Sequence, residues 1–392
     1  MIALFAACLV FAPARVVELV KPQATSISIQ ALVTIPPLGA KDLAKLDILG
    51  RTIIKQTQAY PRREMLMVTN GAPVRFDMSP DHVRLAISVP AGSLKSGLIL
   101  MESLLRDASL NQDGIDAATQ EIATPDYWTA ALNPVVRPNV RLTSDEARTL
   151  YVRVFRPENI LLAVGGKFAP GDAESIWASR MEGWQVEALP RGYFDVSQPN
   201  YLTQNPGSVT TIDLAFPPIT SGDAALSAKI LSLFALGVGK GSSLFQVIRE
   251  KHAWSYRQEA VLSPSKDGWT PRLLIASIPF ADPKERAKAI QSELLDDVKG
   301  WTEATRKRAL GMAEAVLTHQ VPFSPFYVHG KSGISESLED QTYMAAYWPM
   351  KTGQPWNPQG LLESMRNVSL DELKEQATNQ LSVEIPNILP GS

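Results

Sequence analysis

Thiols and imidazoles are scarce in this chain. It has one cysteine, Cys8, and four histidines, His82, His252, His319 and His329. One cysteine forms no internal disulfide, and removal of the N-terminal segment that holds it would leave no thiolate for a metal either. Neither His-Glu-x-x-His nor His-x-x-Glu-His occurs, and no two histidines stand three to five residues apart, so the spacing of a histidine-based zinc site is missing. Each histidine reads as a surface or hydrogen-bonded side chain. Gly-x-Ser-x-Gly is absent as well, and Ser242 and Ser243 have no base near them in sequence, which argues against a serine nucleophile. Charge of one sign is missing too. Lys and Arg total 38 against 40 for Asp and Glu, a net charge of -2, so no electrostatic footprint for nucleic acid or an acidic membrane surface is visible. No apolar run is long enough for a membrane-spanning helix.

What is there is a soluble, globular composition: 45% hydrophobic and 20% charged residues. At 392 residues the chain exceeds what one hydrophobic core holds, so two domains are expected. Residues 1–14, MIALFAACLVFAPA, are apolar and end in Ala12-Pro13-Ala14, the small-x-small form of a signal-peptidase site. The expectation is an exported protein, periplasmic or extracellular. The missing Lys or Arg before the apolar run leaves a misplaced start codon or a buried first strand as the alternatives.

An internal repeat organises the remainder. An alternating strand ends in Ile35-Pro36-Pro37-Leu38, and another ends in Phe216-Pro217-Pro218-Ile219, offset by 181. "RLAISVPAGS" (84–93) and "LLIASIPFAD" (273–282) each read as a strand closed by Pro and followed by a helix N-cap, offset by 189. In the second copy Asp282, Pro283 and Glu285 combine an N-cap, a first-turn proline and a capping acid, and Ala287, Ile290, Leu294 and Val298 follow at helical spacing. Capping boxes at Thr143–Glu146 and Ser369–Glu372 match at an offset of 226. Two similar α/β domains are therefore expected, 15–192 and 207–386, joined by a Pro-, Asn- and Gln-rich linker at 193–206. Alternating strands and helices arriving in blocks suggest mixed or antiparallel sheets with one polar face and helices over the other.

The stretch "GVGKGSSLFQVIREKHAWSYRQ" (237–258) opens with Gly237, Gly239 and Gly241. It follows a helix-like run rather than a strand, and Lys240 is followed by Gly, so neither a Walker loop nor a dinucleotide fingerprint fits. A helix C-cap and sharp reversal is the physical reading. "VPFSPFYVHGKSG" (321–333) reads as a packed irregular connection, with a contact loop as the alternative.

The same stretch closely resembles the glycine-rich turn and the helix-to-strand segment after it in the pitrilysin/insulinase family of zinc metallopeptidases. Ser-x-Leu-Phe, then Arg-Glu-Lys, then a Tyr seven residues after the Arg are all present, with Arg249 and Tyr256 at that spacing. "LTSDEARTLYVRVFRPENILLAVGG" (142–166) resembles the segment closing the family's first domain. The resemblance implies an α+β fold of two homologous domains, each a mostly antiparallel sheet covered by helices, like the mitochondrial-processing-peptidase metallohydrolases, arranged as half of a clamshell.

The sequence departs from active members in its first half. The helix that should carry His-x-x-Glu-His is "KDLAKLDILGRTI" (41–53), with Lys45 and Leu49 where the histidines belong. Glu121 stands near the position of the family's remote glutamate ligand, but one carboxylate cannot hold a catalytic zinc. The resemblance therefore implies no catalytic residue, metal or cofactor in this chain, with zinc expected in a partner subunit. Some family members work as such pairs, and the zinc-free subunit supplies an Arg and a Tyr that hold the substrate backbone. The resemblance thus implies peptide binding through Arg249, Tyr256 and the Gly237, Gly239 and Gly241 loop, a zinc-bearing homologue as partner and unfolded peptide as substrate. A structural core subunit of a larger assembly is the alternative. The tail reads as lacking a full closing strand, with a shortened counterpart in "VEIPNILPGS" that would leave an open sheet edge.

Overall fold

The computed structural model describes residues 15–79, 81–121, 140–182, 184, 210–265, 267–277, 282–321, 325–328, 331–382 and 387–389. The apolar segment 1–14, the linker 193–206 and His329 lie outside the described residues.

Alternation of apolar residues with period two builds the first sheet. Ile27, Ile29, Ala31 and Val33 of β2 (Ser26–Thr34) all enter one core, as do Val83, Leu85, Ile87 and Val89 of β4 (His82–Pro90). With β1 (Arg15–Val20), β3 (Arg75–Met78) and β5 (Ile160–Gly166) they form five strands in the order β1-β5-β2-β4-β3. Only β1 and β5 run parallel. The second sheet contains β6 (Thr210–Ala215), β7 (Ser255–Ser265) and β8 (Gly268–Ser277). After the small hairpin of β9 (Tyr327–Val328) and β10 (Lys331–Ser332), β11 (Asn387–Leu389) completes it. Its order, β11-β6-β8-β7, is antiparallel throughout and repeats the β5-β2-β4-β3 part of the first sheet. The tail thus supplies the shortened strand read from sequence, three residues against seven in β5. Among the described residues nothing corresponds to β1.

Helices α1 (Ala40–Ile53), α2 (Arg62–Val68), α3 (Leu94–Arg106), α4 (Gln112–Gln120), α5 (Ser144–Val154) and α6 (Asp172–Met181) belong to the first half. The Thr143–Glu146 capping box opens α5. In the second half α7 (Leu226–Gly237) is apolar almost all round, which suits a helix enclosed on every side. It lies between the sheet, α9 (Glu303–Leu317) and α12 (Leu370–Leu381), which starts at the Ser369–Glu372 box. Helix α8 (Pro283–Lys299) starts at Asp282, whose carboxylate accepts the Glu285 N–H at 3.2 Å, and Ala287, Ile290, Leu294 and Val298 are all buried.

The remaining helices are α10 (Leu338–Thr352) and α11 (Pro358–Arg366). Helix α10 lies in the stretch where the repeat offset grows, and it docks on β5, β2 and β1 of the first sheet while also touching β8 of the second. The first sheet is therefore covered on both faces. Its second face carries Gln30 and Arg84, which α10 matches with polar groups. Arg84 Nη1 donates to Glu339 Oε1 at 2.8 Å and to Gln30 Oε1 at 3.0 Å, and Arg84 Nε donates to Asp77 at 2.9 Å. Gln30 Nε2 donates to the Glu339 carbonyl at 2.7 Å. Further along, Asp81 Oδ2 accepts from Tyr347 Oη at 2.8 Å and pairs with Lys351 Nζ at 2.7 Å, while Asp81 Oδ1 lies 2.8 Å from His82 Nδ1. The second sheet repeats the device on β6 and β8, where Arg272 pairs with Asp213 at 2.6 Å. Polar residues that alternate with core residues are thus buried here, each with a partner, as burial of charge requires.

Candidate functional site

In the first half the positions that would hold zinc do not fit it. Leu49 is fully buried in the core, and Lys45 spends its ammonium on Glu146 at 2.7 Å. That hydrogen bond, followed by the Thr143 backbone N–H, holds the Glu146 carboxyl at about 2. Glu121 caps the C-terminus of α4 and turns to Lys55, beyond the end of α1. The Lys55 hydrogen bond lowers its pKa, with Arg51 and Arg62 adding to the effect. A cationic side chain, a buried leucine and a carboxylate among three cations offer zinc no neutral imidazole and no second anion. Among the described residues no cluster of three or more His, Cys, Asp or Glu could hold a metal. His82 is buried against Asp81, Tyr343 and Tyr347, His252 stacks on Trp254 at 4.0 Å, and His319 is exposed.

The second candidate site is built from the end of α7. The helix stops at Gly237, where a Cβ would come within 2.4 Å of the Ala260 Cβ on β7, so glycine permits the helix to touch the sheet. Gly239 then turns at φ +83°, a conformation that glycine adopts without strain. Arg308 of α9 closes the helix end by donating to the carbonyls of Ala235 and Val238 at 2.8 and 3.0 Å. Gly241 lies behind the loop, where a Cβ would meet Arg308 Cδ at 2.6 Å. The reversal expected at a helix C-cap is therefore what these glycines make.

A wide-turn π-helix, Leu244–Lys251, follows, and Leu244, Val247 and Ile248 pin it to the core. At its start Ser243 Oγ donates to Asp297 of α8, an acceptor shared with Trp301 Nε1 at 3.0 Å. These bonds leave Phe245 and Arg249, one turn apart, on the outer side. The chain then reverses at Ala253, which takes φ +51°, and enters β7. Tyr256 is the extra residue of a β-bulge: Ser255 pairs with Ser277 and Arg257 with Ala276, leaving Tyr256 without a partner on β8. A bulge re-aims side chains, and here consecutive residues Tyr256 and Arg257 line the same groove.

That groove has a volume of about 280 Å³ and is lined by Gly237, Gly239, Lys240, Ser242, Phe245, Arg249, Tyr256, Arg257 and Gln258. Four of the five residues picked from sequence meet there; Gly241 does not line it. The Arg249 guanidinium sits 5.0 Å from the Phe245 ring centroid and 5.8 Å from that of Tyr256. Its nearest carboxylate, Glu250, is 3.9 Å away, and the guanidinium makes no hydrogen bond to a described residue. Tyr256 is 71% exposed and Arg249 about two-fifths exposed, so neither is consumed by packing. Gln258 Oε1 is buried and accepts no hydrogen bond from any described residue. Among the described residues β7 is the outer strand of its sheet, and on its open edge the Leu262 N–H donates to the Pro325 carbonyl. Sequence reasoning did not place Lys240, Ser242, Phe245, Arg257 or Gln258 in this groove. Phe245 was findable, because it stands one helical turn before Arg249.

Residues 141–311 match the family described as the peptidase M16 inactive domain. That match spans a little under half of the chain, from the helix α5 region through the groove to α9. No curated protein matches the sequence. Among solved structures, this chain is similar to a peptidase M16 inactive domain from Pseudomonas fluorescens, at 13% identity and a TM-score of 0.70, covering 96% of this chain and 95% of that one. It is similar to a protease from Helicobacter pylori at 14% identity and a TM-score of 0.71, over 96% and 97% of the two chains. The first half of the periplasmic protease PqqL from Escherichia coli aligns at 14% identity and a TM-score of 0.59, over 93% and 87%. At these identities the likeness establishes the fold, and that fold is what positions the groove.

Proposed function

We propose that this chain is the non-catalytic member of a two-subunit M16 peptidase. It pairs with a zinc-bearing homologue and holds an extended, unfolded peptide in the groove beside β7. The observation that carries this reading is the Arg249 guanidinium, set against Tyr256, without a hydrogen bond to the described residues and open to solvent. A guanidinium and a phenol can both donate to a peptide carbonyl, which fixes the backbone and stabilises negative charge as water adds. Gln258 Oε1 supplies an acceptor for a peptide N–H, and the open part of β7 can add a strand. Metal and water activation would belong to the partner, since Lys45 and Leu49 cannot ligate zinc. In this reading the sheets correspond to two homologous domains, 15–192 and 207–386, and the apolar residues 1–14 direct export to the periplasm or the extracellular space.

The test is reconstitution. The zinc-bearing homologue is assayed on an unfolded peptide alone, with this chain, and with this chain carrying Arg249→Ala and Tyr256→Phe together. The expected result is cleavage that needs both subunits and falls with the double variant while the complex still forms. Unchanged cleavage with assembly intact would overturn it and favour a structural role.

A further inference from the structure

The groove has a charge that the peptide-holding reading does not use. Lys240, Arg249 and Arg257 all line it, and among the described residues no carboxylate does. Two described acids stand just outside the lining: Glu250 lies 3.9 Å from Arg249 and Glu259 lies 3.9 Å from Arg257. Lys240 is exposed at the tip of the glycine loop, whose position is fixed by Gln246 Nε2 donating to the Lys240 carbonyl at 2.7 Å. Arg257 is brought to the same side as Tyr256 by the bulge and is more than half exposed. The two cations thus reach the groove from two different elements, the loop and the strand edge, and share it with Arg249 and its two aromatic rings. Across the whole chain the charge is nearly balanced, so this is a local concentration of positive charge.

We propose that Lys240 and Arg257 make this groove selective for acidic peptide segments, with Asp or Glu side chains flanking the residue whose carbonyl Arg249 and Tyr256 hold. This rests on the peptide-holding reading and adds the substrate class to it. In a strand added along β7, side chains alternate, so carboxylates on either side of the held residue can approach the loop cation and the strand cation.

The experiment uses the full chain and three fluorescent peptides of equal length, one rich in Glu, one in Ser and one in Lys, with binding followed by anisotropy at low and high salt. The Glu peptide should bind about three- to tenfold more tightly than the Ser peptide, as two exposed ion pairs allow, and the Lys peptide more weakly still. The preference should shrink with salt. Lys240→Glu with Arg257→Glu should remove or reverse the preference, whereas Arg249→Ala should weaken all three peptides. Equal binding of the three by the unmodified chain, with Arg249→Ala still weakening each, would overturn the acidic selectivity and leave the peptide-holding reading standing. If no peptide binds, or if Arg249→Ala changes nothing, the peptide-holding reading fails and the selectivity falls with it.

Discussion

Arg249 and Tyr256 stand seven residues apart in the chain, and the reversal at Ala253 brings the guanidinium to 5.8 Å from the phenol ring. The first member of the pair rides on a π-helix anchored to the core, and the second is aimed by a bulge. Each is held by backbone geometry and not by side-chain packing, which leaves its polar end for a ligand.

Removing either end should therefore cost function without costing stability. In a reconstituted pair, Arg249→Ala should lower peptide hydrolysis by about 10- to 100-fold, the range for losing one charge-assisted hydrogen bond. Tyr256→Phe should lower it by less, because a neutral donor is lost. Thermal unfolding of both variants should stay within about 0.5 kcal/mol of the parent, as expected for exposed positions.

Gln258 should show the opposite balance. Its buried Oε1 accepts no hydrogen bond from the described residues, so the folded chain carries a desolvated acceptor. Gln258→Met keeps the volume and removes that acceptor. Denaturant unfolding should report a gain of about 1 kcal/mol, and peptide affinity should fall by up to about tenfold. A variant both less stable and unchanged in affinity would contradict the role given to this side chain.

The seam between α10 and the first sheet should be far more sensitive. Glu339→Ala strips one acceptor from Arg84, which is 2% exposed and keeps Asp77 and Gln30. Losing one charge-assisted hydrogen bond from a buried cation that keeps its other carboxylate costs about 1.5 to 3 kcal/mol. Lys45→Ala, which breaks the largely exposed pair with Glu146, should cost about 1 kcal/mol or less. Urea unfolding of the two variants side by side checks the contrast.

Acid should weaken the same seam through Asp81. Burial raises its pKa, but His82 and Lys351 outweigh this and bring the carboxyl from 3.8 down to about 2. A folded pKa below the unfolded one means the stabilisation is complete above about pH 4 and is lost as pH falls toward 2. The size at neutral pH is about 2 kcal/mol. Guanidinium unfolding between pH 5 and 2 should show this loss in the parent, with a shallower slope in Asp81→Asn.

Much of this arrangement was readable in the chain. Period-two alternation in β2 and β6, the paired capping boxes and the spacing of Ala287, Ile290, Leu294 and Val298 are local signals, and each names its element. Helix α10 was not readable. It is wedged between two sheets, so its sequence, LEDQTYMAAYWPMKT, shows no clean apolar stripe and carries Pro349 near its end. Its docking also buried the strand face that alternation suggested was solvated. In the groove, Arg249 and Tyr256 were found through a motif, whereas Arg257 and Gln258 depended on a bulge that no residue pattern announces. Lys240 was weighed only as a phosphate ligand, because its distance to the strand edge is set by the fold.

The most direct measurement is purification of the tagged chain from its native cells under gentle conditions, with mass spectrometry of whatever co-elutes in stoichiometric amount. The expected result is a homologue carrying His-x-x-Glu-His, together with zinc in proportion to that homologue. Elution of the chain alone, or with unrelated structural proteins, would contradict the paired peptidase.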